Sequence, residues 1–95
     1  MANYKLSNVA KEDLIRIHQY GVQQFGLNQA DKYFDDFFVY FDLIANNPLS
    51  FEAVDFIKPG YRRCICGVDS IFFKLNVDGV EIMTIIGRQD FSSLL

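Results

Sequence analysis

Arg62, Arg63, Lys74 and Arg88 concentrate positive charge in the C-terminal part of an acidic chain. Guanidinium groups anchor carboxylates and phosphates through paired hydrogen bonds, so the first chemistry to weigh is recognition of an anionic surface. Arg62 and Arg63 are neighbours in a β-rich run, so alternation sends them to opposite faces of one strand. One should pair with a carboxylate or pack on an aromatic ring, and the other should face outward. Ordinary solvent-facing strand cations would look the same on spacing alone.

The other reactive side chains point to structure rather than catalysis. His18 falls inside the apolar arc of a helical pattern, with no triad spacing around it, and reads as a buried, hydrogen-bonded residue. Cys64 and Cys66 are two apart in a strand, so they share a face and are badly placed to bridge each other. With one His and no further Cys, a four-ligand N/S zinc site is not expected, and both thiols read as small reduced core residues. Asp35, Asp36 and Asp42 lie on the polar side of a helix as a solvated surface. No P-loop, dinucleotide fingerprint or H-E-x-x-H occurs, and no cofactor or metal is expected.

The elements that must position these residues are legible from periodicity. Asn3-Tyr4-Lys5-Leu6 alternates and reads as a first strand. Ser7 is placed to cap a helix, with Glu12 and Asp13 near its positive end. Ala10, Leu14, Ile15, Ile17, Gly21, Val22 and Phe25 fall within an arc of roughly 160° at helical spacing. Gly26 should end that helix. Asn28 can cap a second, in which Ala30, Tyr33, Phe34, Phe37, Phe38, Tyr40, Phe41, Ile44 and Ala45 cover a similar arc. Asn46-Asn47-Pro48 stops it. A two-residue link, Leu27-Asn28, forces the pair into an antiparallel hairpin. After a packed connection over 49–60, three β-rich runs follow at 62–66, 70–75 and 80–86. The breaks Gly67-Val68-Asp69 and Asn76-Val77-Asp78-Gly79 join them as an antiparallel meander.

Ninety-five residues make one domain, 1–95, and an apolar fraction of 51% is enough for a core without staples. Ten Phe and five Tyr exceed what so small a core can hide, so surplus apolar surface should be a partner site. The net charge is −3, divided as −4 over residues 1–57 and +1 over 58–95. That balance argues against a general nucleic-acid binder. No apolar run is long enough to span a membrane and no signal-peptide core is visible, so a cytoplasmic protein is expected.

In order along the chain, several stretches resemble the ParE toxins of the RelE/ParE superfamily, the toxic halves of bacterial toxin–antitoxin pairs. They are Tyr4-Lys5-Leu6-Ser7, Ala10 with Asp13-Leu14, Ile17 with Tyr20, and Gly26 with Ala30 and Tyr33. Leu43-Ile44-Ala45-Asn46-Asn47-Pro48, Gly60-Tyr61-Arg62-Arg63, Ile71-Phe72-Phe73 and Val80-Glu81-Ile82 through Asp90 complete the set. Each piece is degenerate, but the ordered set is specific and spans nearly the whole chain. The resemblance implies an α+β, RelE/ParE-like fold. A short N-terminal strand and an antiparallel helical hairpin would pack on a three-stranded antiparallel meander, in a mixed or antiparallel sheet.

The resemblance also implies a toxin that stops bacterial growth and is neutralised by a cognate antitoxin in a hetero-oligomer, with DNA gyrase as the family's usual target. Two positions depart from the ParE pattern. Asp69 stands where such chains often carry His, and Ile86-Gly87 stands where the last strand often ends in Leu-His. The RelE branch instead cleaves mRNA on the ribosome, which is the alternative activity. Its cations and C-terminal Tyr correspond here to Ser70, Gln89 and Leu95, which lack the groups needed to stabilise a phosphorane or move a proton. The expectation is a toxin that acts by binding, not an enzyme. Phe34, Phe38 and Phe41 are the candidate antitoxin contacts, because the second helix is apolar over more than one packing interface needs. Arg62, Arg63, Lys74 and Arg88 are the candidate target contacts.

Overall fold

A computed structural model describes residues 3–87. The chain runs β1 (Tyr4–Leu6), α1 (Asn8–Phe25), α2 (Leu27–Asn46), a 3₁₀ turn (Pro48–Ser50), β2 (Glu52–Ala53), β3 (Arg62–Cys66), β4 (Asp69–Asn76) and β5 (Gly79–Gly87). The strands form one mixed sheet in the order β1-β5-β4-β3-β2. β1 runs parallel to β5, and every other pairing is antiparallel. The expected meander is therefore the middle of a five-stranded sheet. β2 was hidden in the connection, because two residues of Glu-Ala carry no periodicity.

Local chemistry explains the helix ends. The Ser7 hydroxyl accepts from the Ala10 amide at 3.0 Å, as an N-cap does. Gly26, at φ +89°, ends α1, and its amide donates to the Val22 carbonyl at 3.1 Å. Gly26 also opens α2, so Leu27 is already helical and the link is one residue, not two. Asn28 is inside the helix and caps nothing, because the left-handed glycine has already turned the chain. The Asn47 amide donates to the Leu43 carbonyl at 3.0 Å, and Pro48 prevents continuation.

The core lies on both faces of the sheet. On one face, Ala10, Leu14 and Ile17 of α1 and Phe37, Phe41 and Ile44 of α2 pack on Cys64, Cys66, Ile71, Phe73, Val80, Ile82 and Ile85. Among the described residues, the opposite face has no helix. There Val54, Phe72 and Ile86 form a small second cluster, sheltered by Ile57 and Tyr61. The aliphatic and aromatic side chains buried this way each contribute about 1.5–3 kcal/mol.

Asp13 has a different task from the helix-dipole role its position suggests. β1 pairs with β5 only as far as Ile82, which leaves the rest of that edge bare. Side chains at the start of α1 close it. The Asp13 Oδ2 accepts from the Ile85 amide at 3.0 Å and from the Thr84 hydroxyl at 2.6 Å. The Ser7 hydroxyl donates to the Met83 carbonyl at 2.7 Å, and Arg16 Nη2 donates to the Ile85 carbonyl at 3.3 Å. A partner strand cannot add here without displacing α1. Asp13→Ala leaves a part-buried amide and hydroxyl without an acceptor. It should cost about 1–3 kcal/mol in urea unfolding, and a loss inside experimental error would remove this role.

Candidate functional site

A groove of about 590 Å³ runs between the helical hairpin and the turn joining β3 to β4. α1 lines it with Ile17, Tyr20, Gly21 and Phe25, and α2 with Ala30, Tyr33 and Phe34. The turn supplies Gly67 and Val68, the first residue of β4 supplies Asp69, and Gly87 closes it at the end of β5. The helices cross closely where Gly21 meets Ala30, because a Cβ at Gly21 would lie 3.3 Å from the Ala30 Cβ. Large apolar groups along the groove stay in water. Phe25 is 67% exposed and Val68 71%.

Tyr33 ties the groove to the sheet. Its hydroxyl lies 2.8 Å from both the Asp69 Oδ2 and the Cys66 carbonyl oxygen. Its ring meets Phe37 edge-on at 5.0 Å. Gly67 is required beneath it. φ is +60° there, and a Cβ would come within 2.8 Å of the Tyr33 ring. Burial pushes the Tyr33 hydroxyl above the usual tyrosine range, and the bond to Asp69 pushes the same way. His18 is half-buried. Its Nε2 lies 2.7 Å from the Asp31 Oδ1, and its ring meets Phe34 edge-on. The histidine is hydrogen-bonded as expected, but it sits at the groove rather than in the core.

The two cysteines are core residues, free and buried. Burial pushes the Cys64 thiol up to about 11. It pushes Cys66 up to about 12, with Cys64, Asp36 and Asp69 adding to the shift. Both stay protonated near neutral pH, so neither is an activated nucleophile. Among the described residues, no group of three or more His, Cys, Asp or Glu could hold a metal ion.

The structure separates the basic residues that the sequence grouped. Arg62 shares the helix face with Cys64, and its Nη1 donates to the Phe51 carbonyl at 2.7 Å. Arg63 is on the helix-free face, and its Nε and Nη2 donate to the Glu52 Oε2 at 3.1 and 2.9 Å. Both arginines are therefore engaged within the fold, and neither simply faces outward. The reason is β2 and its flanks, which bring Phe51 and Glu52 beside β3. Lys74 is also on the helix-free face, opposite Glu81, with Lys5 next across β5. Arg88 lies outside the described residues, as do Gln89 and Leu95.

The candidate aromatic contacts divide as well. Phe34 lines the groove, and Phe38 is half-buried beside it, 5.3 Å between ring centroids. Phe41 is fully buried and packs on Tyr4, Phe37 and Phe38, so it is a core residue and not a contact surface. Tyr20, Phe25 and Val68 were missed as site residues. Phe25 was visible at the edge of the α1 arc, but nothing local marks which end of an arc stays uncovered.

The family described as "ParE toxin of type II toxin-antitoxin system" matches residues 4–90. A protein named Toxin ParE1 from Caulobacter vibrioides is 34% identical over 86 residues, covering 90% of this chain and 88% of the relative. A Toxin ParE1 from Mycobacterium tuberculosis is 28% identical over 89 residues, covering 93% and 91%. A solved structure titled "Chromosomal ParDE TA system from P. aeruginosa" superposes with a TM-score of 0.81 at 20% identity, covering 92% of this chain and 96% of that one. The family match begins at β1 and takes in both helices and all five strands, and the fold agrees with it throughout. The chain therefore belongs to the ParE toxin family of type II toxin–antitoxin systems.

Proposed function

We propose that this chain is the growth-inhibiting half of its pair, acting by binding a cellular target and silenced by an antitoxin seated in the groove. The observation that carries the reading is the groove itself. It leaves Phe25, Tyr20 and Val68 substantially exposed along a concave path between elements. Such surface fits the apolar face of an amphipathic helix, which presents side chains three and four residues apart. The ParDE title of the similar structure is consistent with an antitoxin partner.

DNA gyrase is the family's usual target and the first to test, which places the action in the cytoplasm. A binding mode is favoured over RNA cleavage because Ser70, where the RelE branch carries a cation, is only 1% exposed and has no charge to offer a phosphate. The test runs purified toxin in parallel in a gyrase supercoiling assay and on translating ribosomes with primer extension. The expected result is inhibited supercoiling, relieved by the antitoxin, with no codon-phased cleavage. Cleavage above an antitoxin-blocked control would overturn the binding mode. Uninhibited gyrase would move the target elsewhere.

A further inference from the structure

We propose that Asp69 is the specificity anchor of the groove, and that its carboxylate takes a lysine or arginine side chain from the antitoxin helix seated there. The inference rests on the groove being the antitoxin's seat and goes beyond it, because it names the chemistry that the partner must present.

Asp69 is only 8% exposed, and its side-chain hydrogen bond is to a tyrosine rather than to a cation. Its Oδ2 faces the Tyr33 hydroxyl, but that hydroxyl is equally close to the Cys66 carbonyl, and its single proton serves both acceptors. Among the described residues, no cation lies within ion-pair distance of Asp69. The three ion pairs there join Arg16 to Asp13, His18 to Asp31 and Arg63 to Glu52. The two other charged or titratable groups that line the groove besides its tyrosines, Arg16 and His18, are thus already engaged. A carboxylate withdrawn from water is ordinarily matched by a cation. None of the described residues supplies that match, and the proposal assigns it to a partner.

The surroundings suit a long cationic side chain. Asp69 stands opposite Gly87 in the β4–β5 register, so β5 sets no side chain across from the carboxylate. Val68, 71% exposed, and the Tyr33 ring flank the approach and can pack on an aliphatic stem. Phe25 and Tyr20 lie farther along the groove, where the same helix would place its apolar residues. A partner that fills the groove with apolar groups alone would bury Asp69 fully without compensation. The residue therefore selects for a basic partner and against a neutral one.

The test titrates the full chain with the antitoxin encoded beside it, by isothermal calorimetry at several salt concentrations. Asp69→Asn keeps an acceptor for Tyr33 and removes the charge. We expect at least a tenfold weaker Kd with a shallower salt dependence. One Lys→Met or Arg→Met substitution in the antitoxin should reproduce that loss and add nothing further on Asp69→Asn. This second arm works on wild-type toxin, so it stands even if the Asp69 variant folds poorly. Unchanged affinity of Asp69→Asn, or no antitoxin cation coupled to Asp69, overturns the anchor while leaving the groove as the seat. Failure of the wild-type pair to bind overturns both. If the effect of Asp69→Asn disappears in an Arg88→Ala background, the carboxylate serves this chain's own arginine and the proposal fails.

Discussion

Phe41→Ala is expected to destabilise the free protein by about 3–5 kcal/mol, the cost of emptying a fully buried aromatic site. Phe41 has no exposed surface, and its ring centroid lies 5.4 Å from those of both Tyr4 and Phe38. It therefore joins β1 to α2, across elements that little else connects. A domain of this size has roughly 5–15 kcal/mol of stability in total, so the loss should leave a large unfolded fraction at moderate temperature. Phe34→Ala should cost less than half as much, because that ring is half-buried and packs on the rings of His18 and Phe38. Phe34→Ala should instead weaken antitoxin binding. Urea unfolding measures the first contrast and calorimetric titration the second. Equal stability losses at the two positions would contradict their placement in core and groove.

Lys74→Glu is expected to abolish growth inhibition, raising survival at least tenfold on induction, while stability and antitoxin affinity hold. A binding toxin needs fixed groups on a rigid element, and β4 is the central strand of the sheet. Arg62 and Arg63 are committed to Phe51 and Glu52, which leaves Lys74 as the described sheet cation best placed for a target. It lies on the helix-free face, across the sheet from the groove, so the antitoxin seat should not feel the change. Its cross-strand neighbour is Glu81, so the new like-charge pair should cost less than about 1 kcal/mol. Arg88→Glu belongs in the same experiment as the remaining candidate. Full toxicity of both variants at wild-type expression would move the toxic surface to the helical hairpin.

If the groove and the helix-free face are separate, the antitoxin need not cover the target surface to neutralise it. Bulk held against the groove can keep a large target away. The double assay on Lys74→Glu distinguishes this from direct competition, because antitoxin affinity should be insensitive to Lys74.

The secondary structure was legible in the sequence wherever its cause is local. Ser7 caps, Gly26 turns and Pro48 stops because each acts through neighbours within one helical turn. The apolar arcs of α1 and α2 mark their buried faces in part, since Ala10, Leu14 and Ile17 of the α1 arc are buried while Ile15, Val22 and Phe25 stay exposed, and the alternation at Cys64 and Cys66 sends both to one core face. The Arg62–Arg63 split into opposite faces was legible too. What tertiary structure alone decided was what each face meets. Phe34 and Phe41 are seven apart on one arc, yet one lines a groove and the other is sealed beneath β1. Asp13 looked like a helix-dipole acid and closes the edge of a strand some seventy residues away. β2 exists only because β3 offers it an edge, and β2 and the residue before it engage both arginines. Asp69 shows only turn chemistry in sequence, and it became a groove carboxylate when Tyr33 of α2 reached the β3–β4 turn. Periodicity and capping depend on a few adjacent dihedrals, whereas a groove depends on which distant surfaces fail to meet.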